Sequence, residues 1–375
     1  RLNRIRALDA TASAITVEAG VTLSSVHSAA DDAGFLFPLS MASEGSCCIG
    51  GNIATNAGGV AVLAYGNMRA QVLGLEAVLA DGRIWNGLSL LRKDNTGYDL
   101  KSLLIGSEGT LAVITAATLK LYPRPQDVAV ALVAVASLES VDTFYNMAKR
   151  EAGLGLTAFE FMSQRALEFS VKHGSGAKSP FAVMPAWSVL IEISSQEPER
   201  AHGLLDRILT LGAAQNTIVT GVVASSLMQA KDLWRLREDI SSAQKPEGGS
   251  IKHDISVPVS AITSFIGRAN ALIATLCPGA RPVPFGHFGD GNVHYNISQP
   301  LGADGRTFLD RWDEITHAVH ALVCELGGSI SAEHGIGRMK RDELAVVKDS
   351  VDLALMRAIK SVYDPNGILN PGKVL

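Results

Sequence analysis

The sequence predicts an α+β protein of more than one domain, and three features of the chain carry that prediction. Its 375 residues leave room for two or three domains with a large buried core. Strand-like apolar runs at residues 128–136, 187–194 and 251–257 are interleaved with amphipathic helical stretches, the pattern of an α+β layer. Two Asp-Gly pairs, Asp81-Gly82 and Asp290-Gly291, each fall between strand-like runs and mark hairpins, because a tight two-residue turn needs positive φ at both central positions.

From the start of the chain, residues 14–18 alternate as a short strand. A helix follows, with Thr22 as its cap, Leu23, Val26 and Ala30 on one face, and Gly34 ending it. Residues 38–59 read as a loop dense in small residues. Residues 72–80 and 83–85 form strands around Asp81-Gly82, and a second small-residue loop at 106–110 leads into a long strand ending near Tyr122. Pro123 and Pro125 break the pattern there, a natural domain boundary. Further on, Phe308, Trp312, Ile315, Val319, Leu322 and Leu326 line one helix face, which Gly327-Gly328 stops. His317 and His320 are expected to be ordinary residues of that helix. A last helix carrying Leu353, Met356 and Ile359 ends before Pro365.

Composition narrows the function classes. The formal charge of −4 gives no electrostatic reason to bind nucleic acid or an acidic membrane surface. The longest unbroken apolar run, 128–136, is far too short to cross a bilayer, so no transmembrane segment is expected. Cys47, Cys48, Cys277 and Cys324 contain no CxxC pair and make no disulfide framework, which favours a reducing cytoplasm. The chain begins at Arg1 in mid-pattern, not at a methionine, and reads as a fragment.

The most informative stretch is residues 286–296. A two-residue turn at Asp290-Gly291 would set Phe288 against Val293 and His287 against His294 across the hairpin. Facing residues lie ~4.5–5.5 Å apart at Cβ, close enough for two imidazoles to share one divalent ion. Asn296 would share their face, two residues beyond His294. A tight turn carrying two surface histidines fits the same letters. If the pair binds metal, Glu333 is the best third ligand, with His334 beside it as a candidate acid/base; two His and a carboxylate suit zinc or another first-row ion. Glu333-His334 also fits a polar loop that caps a helix.

The small-residue loops at 38–59 and 106–110 would let backbone N–H groups approach an anionic ligand closely. Neither fits the nicotinamide-dinucleotide or phosphate-loop fingerprints. Two crowded structural turns would look the same, while a large ligand such as a dinucleotide would use both.

Taken together, Gly45-Ser46-Cys47, Ile49-Gly50-Gly51-Asn52, Thr55-Asn56-Ala57-Gly58-Gly59 and the segments 91–100 and 105–111 resemble the FAD-linked oxidase family with its vanillyl-alcohol-oxidase-type flavin domain. Segments 286–296, 331–337 and 364–371 resemble its branch of D-lactate, D-2-hydroxyglutarate and glycolate dehydrogenases. The motifs are long, ordered, and cover nearly the whole chain. The resemblance implies that residues 1–125 are the second half of an FAD-binding domain, that 126–330 form an α+β substrate-binding cap with an antiparallel sheet, and that 331–375 return to the flavin. It places FAD contacts on Pro38, Gly45, Ser46, Gly50, Gly51, Thr55, Asn56, Gly58, Glu108, Gly109, Ile114 and Asn370. It makes His287, His294 and Glu333 the ligands of a divalent metal, zinc first, with manganese and iron as alternatives. Arg237, Ser241, Lys252, Asn296 and His334 would contact substrate, with His334 the base; Ser241 stands where relatives carry Thr.

The implied reaction oxidises a small D-2-hydroxy acid to the 2-oxo acid, with hydride passing to flavin N5. Electrons would go on to a quinone, an electron-transferring flavoprotein or a cytochrome. The expected partners include no nucleic acid, and a homodimer or multi-subunit complex is compatible with the family. The compartment would be the cytoplasm, with contact to the inner membrane through the acceptor. The family's Gly-Gly-Asn-Thr-Gly-type loop for the FAD pyrophosphate, which lies upstream of the matching motifs, does not occur in the sequence. Two alternatives stand beside the dehydrogenase: a non-redox FAD enzyme of the alkyl-dihydroxyacetone-phosphate synthase type, which would need no metal, and a non-catalytic subunit, for which the missing loop is the best support.

Overall fold

The computed structural model describes residues 2–41 and 43–375. The chain divides into two compact units, Arg1–Arg124 with Glu333–Leu375, and Pro125–Ala332.

In the first unit the sheet is antiparallel throughout. Its strands are β1 (Ile5–Asp9), β2 (Ala14–Glu18), β4 (Val72–Val78), β5 (Ile84–Gly87) and β6 (Val113–Lys120), in spatial order β1-β2-β6-β4-β5; β3 (Phe35–Leu36) pairs separately with β7 (Tyr122–Pro123). The Asp81-Gly82 turn joins β4 to β5 with Gly82 at φ +86. The helix Leu23–Asp32 starts as predicted, the Thr22 hydroxyl accepting from the Ser25 N–H at 3.3 Å. Its Leu23, Val26 and Ala30 pack with Ile15, Val17, Leu75 and Leu119 of the sheet, and Ile359 and Tyr363 of the helix Ser350–Tyr363 close over the same core. One expectation fails: residues 38–59 are not loop throughout. A helix, Ile49–Ala54, occupies their middle, because Ile49, Asn52 and Ile53 have a core to face.

The second unit is built on one antiparallel sheet. Its strands are β8 (Asp127–Val135), β9 (Leu156–Ser163), β10 (Trp187–Ser195), β11 (Ile218–Val223), β12 (Ser250–Ile251), β13 (Asp254–Ser256), β14 (Arg281–His287) and β15 (Asn292–Ser298). The order is β11-β8-β10-β9-β14-β15-β12, with β13 also paired to β15. The predicted single strand at 251–257 is thus two short strands, interrupted at Lys252-His253. Alternate residues serve opposite faces. Phe159 and Phe161 join Phe144, Tyr145 and Phe288 in an aromatic cluster on one side. On the other, Leu132, Met162, Leu190 and Phe285 pack against the helices Gln164–His173 and Leu227–Glu238.

The stretch Val259–Leu276 is long and apolar enough to cross a membrane, a feature that polar interruptions hide from a search for unbroken apolar runs. Its Ile262, Phe265, Ile266, Ala269 and Ile273 are buried in the fold. His317 is exposed on its helix, whereas His320 is buried and sets its ring 5.4 Å from that of His253, edge to face.

Glu247 ties this unit together electrostatically. Lys172 (2.8 Å), His173 (2.7 Å) and Arg281 (2.6 Å) converge on its carboxylate and, Lys172 foremost, hold it at about 2, well below the usual carboxylate range. A carboxyl depressed by folding stabilises above its unfolded pKa and loses that contribution as pH falls through the folded one. Stability should therefore decline between about pH 4.5 and 2, and the Glu247→Gln variant should show a flatter decline in acid melts over the same window.

Candidate active site

In the second unit, the hairpin of β14 and β15 differs from the predicted one. His287 opposes Asn292, Phe285 opposes His294, and Val283 opposes Asn296. The turn is longer, a 3₁₀ turn at Phe288–Asp290 followed by Gly291 at φ +85. Burial of the Phe288 ring in the aromatic cluster takes that residue out of the ladder and into the turn. A side chain at position 291 would meet the Val257 carbonyl at 2.2 Å, so glycine is required there. His287 and His294 are consequently diagonal neighbours and not a facing pair. Their rings still lie 5.6 Å apart on one face, with Asn296 buried beside them.

Three residues that the motifs did not single out organise this face. Glu160 sits on β9 directly opposite His287, with 1% of its surface exposed. One carboxylate oxygen lies 2.8 Å from His287 Nδ1 and the other 2.8 Å from Arg237 Nη2. Burial alone would push this carboxyl up, but His287 and Arg237 outweigh it and hold it below the usual range. Asp254 faces His294 from β13, its Oδ1 3.7 Å from His294 Nδ1, and accepts a 2.9 Å hydrogen bond from Asn292 Nδ2. The third, Glu192 on β10, is pushed up by burial and accepts hydrogen bonds from Thr157 and from Trp234 Nε1, both at 2.9 Å. The sequence held a signal for Glu160: a carboxylate set between Phe159 and Phe161, the one charged residue of its strand.

Arg237 projects from the helix Leu227–Glu238 and is 7% exposed, its guanidinium 4.9 Å from the centre of the Phe285 ring. Its contact with Glu160 is close but poorly angled for a hydrogen bond, and Nε has no hydrogen-bond partner among the described residues. A buried donor with capacity unspent suits an anionic ligand. Lys252 donates to the Ser241 carbonyl at 3.2 Å, and burial lowers its pKa. The structure thus brings Ser241 and Lys252 together, and gathers Arg237, His287, His294 and Asn296 on one face of the sheet.

In the first unit, the residues expected at the flavin fall on the helix Ile49–Ala54, on β6 and on loops, and Glu108 ties several of these segments together. That residue has φ +53, its N–H donates to the Ala54 carbonyl, and its carboxylate accepts from the N–H groups of Ile336 (2.7 Å) and Gly337 (2.8 Å). Asn370, at φ +40, donates from Nδ2 to the Glu108 carbonyl. Asp364 shapes the turn leading to Asn370 by accepting from the N–H groups of Ile368 and Leu369 and pairing with Lys360. Glu333 lies where a Cβ on Gly58 would meet its Oε1 at 2.8 Å, and His334 beside it is exposed. Gly45, Ser46, Gly51 and Thr55 are exposed, and open space lies where Gly45 and Gly51 lack a side chain, so these positions fit close approach by a large ligand. Gly50 serves packing: a Cβ there would come within 2.7 Å of that of Ala19. Asn56 accepts from the Arg69 N–H at 2.8 Å, Pro38 is buried, and Ile114 and Gly109 border the core and Asn370 respectively.

Comparison with known proteins shows the class, an FAD-linked oxidoreductase. Residues 124–374 match the C-terminal domain of FAD linked oxidases, and residues 1–87 match an FAD binding domain. The chain belongs to the FAD-linked oxidase family. It is 39% identical to the D-2-hydroxyglutarate dehydrogenase of Xanthomonas citri pv. viticola, covering 100% of this chain and 78% of that one. It is 37% identical to the mitochondrial D-2-hydroxyglutarate dehydrogenase of Arabidopsis thaliana, covering 100% of this chain and 66% of the relative. Among solved structures it superposes on p-cresol methylhydroxylase with substrate bound (TM-score 0.75, 17% identity, 99% of this chain and 78% of that one). It also superposes on alkyldihydroxyacetonephosphate synthase (TM-score 0.72, 16% identity, 99% and 67%). At such identities these two matches speak for the fold alone.

Proposed function

We propose that the chain is the FAD-dependent dehydrogenase of a D-2-hydroxy acid, with D-2-hydroxyglutarate the first substrate to test. The observation that carries this reading is its 39% identity, over its full length, to a relative bearing that name. The set of ionisable groups at the sheet face agrees with it. Arg237, buried with unspent donors, and Lys252 would hold the substrate's C1 carboxylate. Asn296 would orient the substrate from the same face as His294. His334, exposed and next to Glu333, would take the hydroxyl proton as general base.

FAD, when bound along the loops around Glu108, supplies the hydride acceptor. His287 and His294, with Glu333 as third ligand, would hold a divalent ion, zinc first. The donor set fits, since Glu160 engages His287 at Nδ1 and so turns the Nε2 edge outward as the ligating one. Such an ion supplies Lewis acidity toward the substrate oxygens. Electrons would leave to a quinone, an electron-transferring flavoprotein or a cytochrome, and the cytoplasm is the compartment we propose.

Anaerobic titration of the FAD-loaded chain tests this. D-2-hydroxyglutarate should bleach the oxidised flavin band while its L-enantiomer leaves it unchanged. Bleaching by D-lactate with no response to D-2-hydroxyglutarate would overturn the substrate, and a flavin silent to every D-2-hydroxy acid would overturn the activity.

A further inference from the structure

We infer that Glu160 is a positioning residue that fixes both the metal ligand His287 and the substrate-binding Arg237, joining the two halves of the reactive face through one carboxylate. The inference rests on the reading that His287 holds a metal and Arg237 a substrate carboxylate. It goes beyond that reading by assigning a residue that touches neither.

The geometry is specific. Glu160 lies directly across the β9–β14 ladder from His287, so its position relative to the imidazole is set by backbone pairing. Its 2.8 Å contact at Nδ1 selects the tautomer whose Nδ1 carries the proton, leaving Nε2 as the lone-pair nitrogen a metal requires. Its second oxygen, 2.8 Å from Arg237 Nη2, anchors the guanidinium over the middle of the same sheet while leaving Nε unspent. One turn earlier on the same helix, Trp234 is tied to Glu192 at 2.9 Å, so two buried carboxylates set that helix's register against the sheet.

Stability alone is a weak account of this arrangement. A fully buried ion pair rarely improves on apolar residues of similar volume, because desolvation offsets the Coulomb attraction. A carboxylate that orients a ligating histidine has a direct use, and loss of such a partner typically weakens metal affinity ~10–100-fold.

The test compares wild type with Glu160→Gln, Glu160→Asp and His287→Ala, measuring zinc dissociation constants by chelator competition on protein whose melting confirms folding. Glu160→Gln should raise the zinc dissociation constant ~10–100-fold and raise KM for D-2-hydroxyglutarate by a larger factor than it lowers kcat. Glu160→Asp should restore part of both losses, and it carries the same test if the glutamine variant fails to fold. Zinc affinity within about twofold of wild type in the folded Glu160 variant, while His287→Ala loses zinc, would overturn the inference. Retention of zinc by His287→Ala would instead remove the metal reading on which it rests.

Discussion

Replacing Arg237 with alanine should destabilise the fold and cripple substrate binding together. The side chain is 7% exposed and pairs with Glu160, which is 1% exposed. Removing one member of a buried pair leaves the other charge uncompensated, at a cost of ~3–5 kcal/mol. His287 remains beside Glu160, so the loss should fall toward the lower end. For a chain of this size, a few kcal/mol is a large part of the whole stability. Catalysis should suffer separately, because a buried cation aimed at a carboxylate contributes ~2–5 kcal/mol, or roughly 30- to several-thousand-fold in kcat/KM. Arg237→Lys separates the effects: it retains the charge for Glu160 and loses the planar fork, so stability should return further than KM. Chemical denaturation and steady-state kinetics on both variants check this. Substrate KM unchanged in a folded Arg237→Ala protein would exclude Arg237 as the carboxylate anchor.

His334→Gln should lower kcat by ~10²–10⁴-fold, the usual worth of a positioned general base. The side chain is exposed, so neither the melting temperature nor bound FAD should change much. The control is flavin absorbance per chain measured on the same sample as turnover. A variant with full flavin and full turnover would assign the proton to another group. Loss of flavin with loss of turnover would mean that the loop, and not the base, had been disturbed.

Much of this was legible in the sequence, and what was not has physical causes. Thr22, Gly34 and the Asp81-Gly82 pair act locally, within a few residues, so their helix and hairpin follow from the letters. The 286–296 hairpin was legible as a hairpin, but its register was not. Register depended on where the Phe288 ring could be buried, and the ring's partners Tyr145, Phe159 and Phe161 lie more than a hundred residues away. The helix Ile49–Ala54 was hidden for a similar reason: glycines argue against helix, and only packing of Ile49 and Ile53 into the core overrides them. Glu160 escaped notice as a site residue because nothing near it in the sequence looks like a motif; its partners come from β14 and from the helix Leu227–Glu238.

The Glu108 tether has a consequence for how the chain is made. Its partners Ile336, Gly337 and Asn370 belong to the same unit, yet the whole of Pro125–Ala332 is synthesised between. At ~5–20 residues per second, those ~200 residues take ~10–40 s to leave the ribosome. For that interval the nascent first unit has neither its last helix over the core nor partners for the Glu108 carboxylate. The second unit, continuous in sequence, can fold as it emerges. On the ribosome, the second unit can therefore be finished before the first, although the sheet of the first is made earlier.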